Sequence, residues 1–166
     1  MTVVFLDTET TGLSAAAGDR IVELAIVDAR GRPLINTLVN PERSIPHSAQ
    51  AIHGISDSMV RRAPTLDQVW TQIMQVLSGN HVVIYNAAYD REFLPDRLEC
   101  ASQVSCAMLR FAKVRGQWNP RYGNYRWHRL EDAARHAGHV WSGDAHRALA
   151  DSQACRSVWR WLDKQG

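Results

Sequence analysis

Cysteine is scarce in this chain of 166 residues and follows no metal-binding pattern. Cys100, Cys106 and Cys155 are odd in number and form no Cys-x-x-Cys pair. Neither a disulfide framework nor a zinc ribbon is therefore expected, and the thiols are read as reduced and partly buried. Long hydrophobic runs are also missing. No stretch approaches the roughly 18 apolar residues of a membrane helix, and Asp7 and Glu9 stand where a signal peptide would need apolar residues. The expectation is a soluble, cytoplasmic protein with no membrane partner. No internal repeat or low-complexity tract appears, and 45% hydrophobic residues suffice for one core, so residues 1–166 read as a single domain. Acids are absent between Glu99 and Glu131, a stretch that holds Arg110, Lys113, Arg115, Arg121, Arg126 and Arg129. Subtracting those six charges from the formal net charge of +2 leaves about −4 for the rest. Such a split suits a molecule that holds both phosphates and cations.

Val3 to Leu6 is an uninterrupted apolar run ending at Asp7, the pattern of a strand buried on both faces. Ile21 to Val27 and Leu34 to Val39 are further strands, joined through a turn at Gly31, so a three-strand meander is expected. From Leu66, apolar residues Val69, Trp70, Ile73, Val76 and Leu77 trace a helical stripe that stops near Gly79. Val82 to Tyr85 reads as a short buried strand, and Asn86 as the cap of a short helix that Pro95 ends. Residues 116–126 lack a period and read as a loop. Helices are expected from Leu130 to His136, ending at Gly138, and from near Asp144 or His146 to Leu162. This order implies an α/β protein with a mixed sheet covered by helices.

Asp7-Thr8-Glu9 closes the first strand, and the period of two sends both carboxylates to one face about 7 Å apart. Taken alone, the pattern is better explained as a strand that has run into solvent, since short motifs match by chance. Asp90, three and four residues before Phe93 and Leu94, lies on the apolar face of its short helix. Asp151 is in line with Cys155, Val158 and Leu162. A carboxylate facing a core must be paired, protonated or bound to metal, and a buried arginine is the alternative partner for either residue. Four such carboxylates at one end of a sheet would repel one another without cations. Hard oxygen donors without cysteine favour Mg²⁺ or Mn²⁺, and two such ions about 4 Å apart suit an in-line phosphoryl displacement.

These residues carry a family resemblance. Phe5-Leu6-Asp7-Thr8-Glu9-Thr10-Thr11-Gly12-Leu13, Asn86-Ala87-Ala88-Tyr89-Asp90 with Phe93-Leu94, and His146-Arg147-Ala148-Leu149-Ala150-Asp151 resemble, in order, the three motifs of the DnaQ-like exonucleases in their DEDDh form. The similarity runs from Val3 to about Trp161, and Ala51-Ile52-His53-Gly54-Ile55 resembles a segment between the first two motifs. Within the family, the short chain, Pro41-Glu42-Arg43-Ser44-Ile45-Pro46 and Ala51-Ile52-His53 look most like the exonuclease X group, although Gly54 and Tyr85 stand where that group can differ.

The resemblance implies a ribonuclease-H-like mixed β-sheet flanked by α-helices, two divalent cations held by Asp7, Glu9, Asp90 and Asp151, and His146 as general base. Asp7 would bridge both ions. Thr10, Gly12, Leu13, His53 and Asn86 would lie along the terminal nucleotide. The implied reaction is 3′ to 5′ hydrolysis of DNA to nucleoside 5′-monophosphates; the alternatives are exoribonuclease action on RNA, or a non-catalytic nucleic-acid-binding subunit. The cations of 110–129 alternate with aromatic residues, and Arg121 and Arg126 are candidate phosphate contacts. His136 and His139 flank Gly138 and are not read as a zinc pair, and Trp159 and Trp161 are read as packing residues.

Overall fold

The computed structural model describes residues 2–94, 96–143 and 145–165. Its main sheet joins β1 (Val3–Thr10), β2 (Ile21–Asp28), β3 (Pro33–Leu38), β4 (His81–Ile84) and β5 (Gln103–Cys106) in the order β3-β2-β1-β4-β5. The first three strands form the expected antiparallel meander, and Gly31, at φ 84°, makes the turn between β2 and β3. β4 and β5 add in parallel on the other side of β1. Along β2 every residue from Ile21 to Val27 is buried, as a strand covered on both faces requires.

The alternation of β1 divides the core. Leu6 faces α3 (Leu66–Leu77) and α4 (Ala87–Phe93), meeting Leu24, Ile26, Ile73, Leu77, Ile84 and Phe93. Phe5 faces α5 (Ala107–Arg115), α6 (Leu130–His136) and α7 (Ala148–Leu162), meeting Val83, Phe111, Ala133, Cys155, Val158 and Leu162. A third, smaller cluster around Val22, Ile45, Ile55 and Val60 lies under α1 (His47–His53) and α2 (Asp57–Val60). The result is a mixed sheet flanked by helices, as the sequence implied.

Several local features differ from expectation. β1 continues past Leu6 to Thr10 because β2 pairs with it that far, whereas β4 pairs only from Val3 to Leu6. Asp7 and Glu9 thus lie within β1, just beyond the end of its parallel neighbour. Asn86 occupies the N-cap position of α4 but its side chain caps nothing. α7 begins at Ala148, because His146 has φ 64°, outside the helical range. The expected boundaries at Pro95 and Asp144 lie outside the described residues. Residues 116–126 are not wholly loop: β6 (Trp118–Asn119) pairs with β7 (Asn124–Tyr125) in a small separate hairpin. α1, α2, α5 and β5 were not anticipated; β5 and α5 run together without an intervening turn residue.

Cys100, Cys106 and Cys155 are free thiols. His136 packs against Phe111 and Trp161, while His139 bonds the Ser157 hydroxyl at 2.9 Å, so the two imidazoles serve different contacts. Trp159 and Trp161 pack against the second core cluster. No helix among the described residues is long and apolar enough to cross a membrane.

Candidate active site

β1 carries Asp7 and Glu9 on the face covered by α7, and the first turn of α7 brings Asp151 to them. One carboxylate oxygen from each of the three lies within 4.8 Å of the other two. Cys155, Val158 and Leu162, spaced down the same stripe of α7, are fully buried and fix that helix against the sheet. Asp90 enters from the other side. Because β4 stops at Ile84, the edge of β1 beyond Leu6 meets α4 instead of a strand, and Asp90 accepts a hydrogen bond from Thr8 Oγ1 at 2.8 Å. The backbone N–H of Thr8 bonds the same carboxylate.

Burial and mutual repulsion hold these groups far from their ordinary acidity. Asp7 is raised well above the usual carboxylate range, first by burial and then by the charges of Asp151, Asp90, Glu9 and Glu23. Burial, Asp151 and Glu23 push Glu9 up to about 8. Burial lifts Asp90 to about 7, although its bonds from Thr8 pull the other way, and lifts Asp151 to about 6. The cluster is negative charge short of cations, and its donors are all hard oxygens. Cys155 lies behind it as a fully buried thiol pushed well upward by burial, and it offers no thiolate ligand.

A fifth carboxylate, Glu23, was not foreseen. It sits opposite Glu9 in the β1–β2 register and is 3% exposed. Arg147 forks onto it, with Nη2 at 2.6 Å and Nε at 3.0 Å, and the Ala148 N–H donates to it at 2.9 Å. The only hint in the sequence is a lone acid within the apolar run of β2. Glu23 has its cation in Arg147, whose charge also tempers the acidity shift of Glu9 without cancelling it.

His146 precedes that arginine. Its backbone N–H donates to Asp151 Oδ1 at 3.2 Å, while Nε2 of its half-exposed ring lies 3.1 Å from Glu131 Oε1. His146, Glu131, Asp151, Asn86, Trp127 and Arg129 are among the residues around a cleft of about 470 Å³.

Past Glu9 the chain turns through a bonded frame. Thr10 Oγ1 lies 2.7 Å from the Gly12 carbonyl, and the Tyr89 hydroxyl reaches both groups, at 2.6 and 2.9 Å. A Cβ at Gly12 would strike the Asp19 carboxylate, which accepts from Thr11 Oγ1 and Ser14 N–H. His53 is buried, accepts from the Ile55 N–H at Nδ1, and so directs Nε2–H to the Thr10 carbonyl at 3.2 Å. Burial lowers its pKa, which keeps the ring neutral. Leu13 projects from this frame 81% exposed. Arg121 and Arg126 lie apart from it, exposed on the β6–β7 hairpin. Tyr89, within the second motif, ties α4 to the turn after β1 through its hydroxyl.

A family model described as Exonuclease (RNase T) matches residues 4–158. The chain belongs to this exonuclease family. The exonuclease is 38% identical to the protein named uncharacterized exonuclease CP81 of Escherichia phage 186, over 98% of this chain and 89% of that one. It is 32% identical to the DNA polymerase III subunit epsilon of Rickettsia conorii, a match that covers 67% of this chain and only half of the relative. Among solved structures, exonuclease X in complex with 5′ overhanging duplex DNA superimposes with a TM-score of 0.70 at 28% identity, over 97% of this chain and 89% of that one. Escherichia coli exonuclease I in complex with a dA16 oligonucleotide matches in fold, with a TM-score of 0.73 at 19% identity, over 98% of this chain and 42% of that one. The exonuclease thus has the ribonuclease-H-like fold, and its acidic cluster lies in residues that could bind metal.

Proposed function

We propose that this exonuclease removes nucleotides from the 3′ end of DNA and releases nucleoside 5′-monophosphates, with two divalent cations, Mg²⁺ or Mn²⁺, held by Asp7, Glu9, Asp90 and Asp151. The observation that carries the proposal is the meeting of three carboxylates within 4.8 Å, each with its acidity suppressed. When bound, such ions neutralise charge on a phosphoryl group and ease deprotonation of water. His146 accepts the proton of the attacking water. Its ring is half exposed, one contact to Glu131 holds it, and it borders the same cleft as Asp151. Thr10, Gly12, Leu13, His53 and Asn86 receive the terminal nucleotide. Neutral His53 supports the Thr10 carbonyl there and takes no proton in the reaction. Arg121 and Arg126 contact phosphates further along the strand. DNA as substrate is supported by the 28% identical exonuclease X, solved with duplex DNA, and by the polymerase III epsilon relatives.

Digestion of 5′-labelled DNA and RNA oligonucleotides with Mn²⁺, Mg²⁺ or EDTA tests this reading. The expected result is a ladder shortening from the 3′ end on DNA with either ion and no product in EDTA. Early release of the 5′ label, or full activity in EDTA, contradicts it.

A further inference from the structure

Beyond the catalytic cluster, the least explained surface is the β6–β7 hairpin. Trp118, Tyr122 and Trp127 are 58%, 66% and 56% exposed there, and Tyr125 is exposed beside them. Large aromatic rings left in water within one short segment mark a contact surface when they are held rigidly. Two of these rings hold each other. Trp118 and Tyr125 are register partners with their rings edge to face at 5.4 Å. The Arg126 N–H closes onto the Gln117 carbonyl at 2.8 Å, and Gly123, at φ 62°, makes the turn. At the base of the hairpin the Tyr85 hydroxyl, at the end of β4, donates to the His128 carbonyl at 2.8 Å.

The charge on this face has one sign. Of the six cations between Glu99 and Glu131, Arg110 is spent on Asp163 and on the Trp159 ring. Arg121, Arg126 and Arg129 are exposed and form no ion pair among the described residues, and the Arg121 guanidinium lies over the Tyr122 ring at 5.5 Å. The chain leaving the hairpin at Trp127 and Arg129 becomes a wall of the cleft that also holds His146 and Asp151. Trp127 thus joins the cleft, and the hairpin that carries Trp118, Tyr122 and Tyr125 adjoins it directly in the chain.

We propose that the hairpin is a stacking platform for unpaired bases, and that through it the exonuclease selects single-stranded ends over blunt duplex. The proposal rests on the nuclease reading of the cleft. Arginines neutralise phosphates whatever the strand's pairing, but an aromatic ring stacks only on a base whose face is free. In duplex the neighbouring base pairs occupy those faces. The rings thus supply the discrimination and the arginines the general attraction.

The test compares the full chain with its Trp118→Ala/Tyr125→Ala variant in Mn²⁺, on oligothymidylate, oligouridylate, blunt duplex DNA and the small p-nitrophenyl ester of thymidine monophosphate. Stacking is lost at two rings, so kcat/KM on oligothymidylate relative to the ester should fall by about tenfold or more, chiefly through KM, with about twofold or less on duplex. Equal losses on single strand and duplex, or none, overturn the proposal. Photocrosslinking of 5-iodouracil, placed a few nucleotides from the 3′ end, gives a readout on the unaltered protein. Crosslinks to residues 118–127 support the platform, and crosslinks confined to other elements overturn it even if the double variant fails to fold. A wild-type protein inactive on both ester and oligonucleotide defeats the nuclease reading alone, because crosslinking still reports the strand's path. If oligouridylate loses rate as oligothymidylate does, the platform is indifferent to the sugar, as stacking on base faces requires.

Discussion

Glu23 and Arg147 lie 124 residues apart in sequence and meet in a fork at the start of α7, where the Ala148 N–H also donates to Glu23. The pair fixes the residue after His146 and the first N–H of the helix that carries Asp151. Removing the cation alone leaves a buried, unpaired carboxylate opposite Glu9. Arg147→Met is therefore expected to cost about 1–3 kcal/mol of stability, discounted because the arginine side chain is 37% exposed. Its kcat should fall more than its KM rises, since His146 and Asp151 lose their alignment. Adding Glu23→Gln should recover part of the stability, by calorimetry, and little of the turnover. A double variant as unstable as the single one would show that the fork does not act as a charge pair. The sequence could not reveal this pairing, because nothing local links a lone acid in β2 to an arginine so distant. Asp7, Asp90 and Asp151 stand out locally because each meets an apolar run or stripe, and Glu9 because it lies two residues from Asp7 on the same strand, while their reading as one ligand set came from the three motifs that resemble the exonuclease family.

At the scale of elements, the turn after β1 depends on Gly12. A methyl there meets the Asp19 carboxylate, which cannot swing away without giving up Thr11, Ser14 and the nearby Arg43 guanidinium, 3.5 Å away. Gly12→Ala is expected to raise KM for oligonucleotides several-fold and to lower stability by about 1–2 kcal/mol, checked by steady-state kinetics and denaturant unfolding. Wild-type KM in the variant would remove this turn from the nucleotide site. Legibility of elements followed their length and period. β1, β2, β3, α3 and α6 declare themselves through long or regular apolar spacing. α2 has four residues, β6 and β7 have two each, and none can show a period. α5 follows β5 without a break, so the change of period has no punctuation to mark it.

The whole molecule should respond to the acidity of its site. Folding raises the pKa of Asp7, Glu9, Asp90 and Asp151 above their unfolded values, so the folded chain holds more protons than the unfolded one. The stability this contributes is fully present below the ordinary carboxylate range near about 4. It is lost as pH rises through the folded values of about 6, about 7 and about 8 for Asp151, Asp90 and Glu9. In EDTA the melting temperature should therefore fall across that window. Mn²⁺ competes with protons for the same oxygens, so its stabilising effect should grow over the same range. A Mn²⁺ effect independent of pH in scanning calorimetry would separate the ions from this cluster.

The early end of β4 has one more consequence. Beyond Leu6 the edge of β1 is read by a helix, so Asp90 finds the Thr8 hydroxyl only if two strands of unequal length are set against each other in one alignment. A slip of β1 by a single position would turn Asp7 and Glu9 toward the opposite layer and leave Asp90 facing a different residue. Competence is thus a digital property of strand alignment: a preparation should divide into fully active and inert molecules, with no graded intermediates between them.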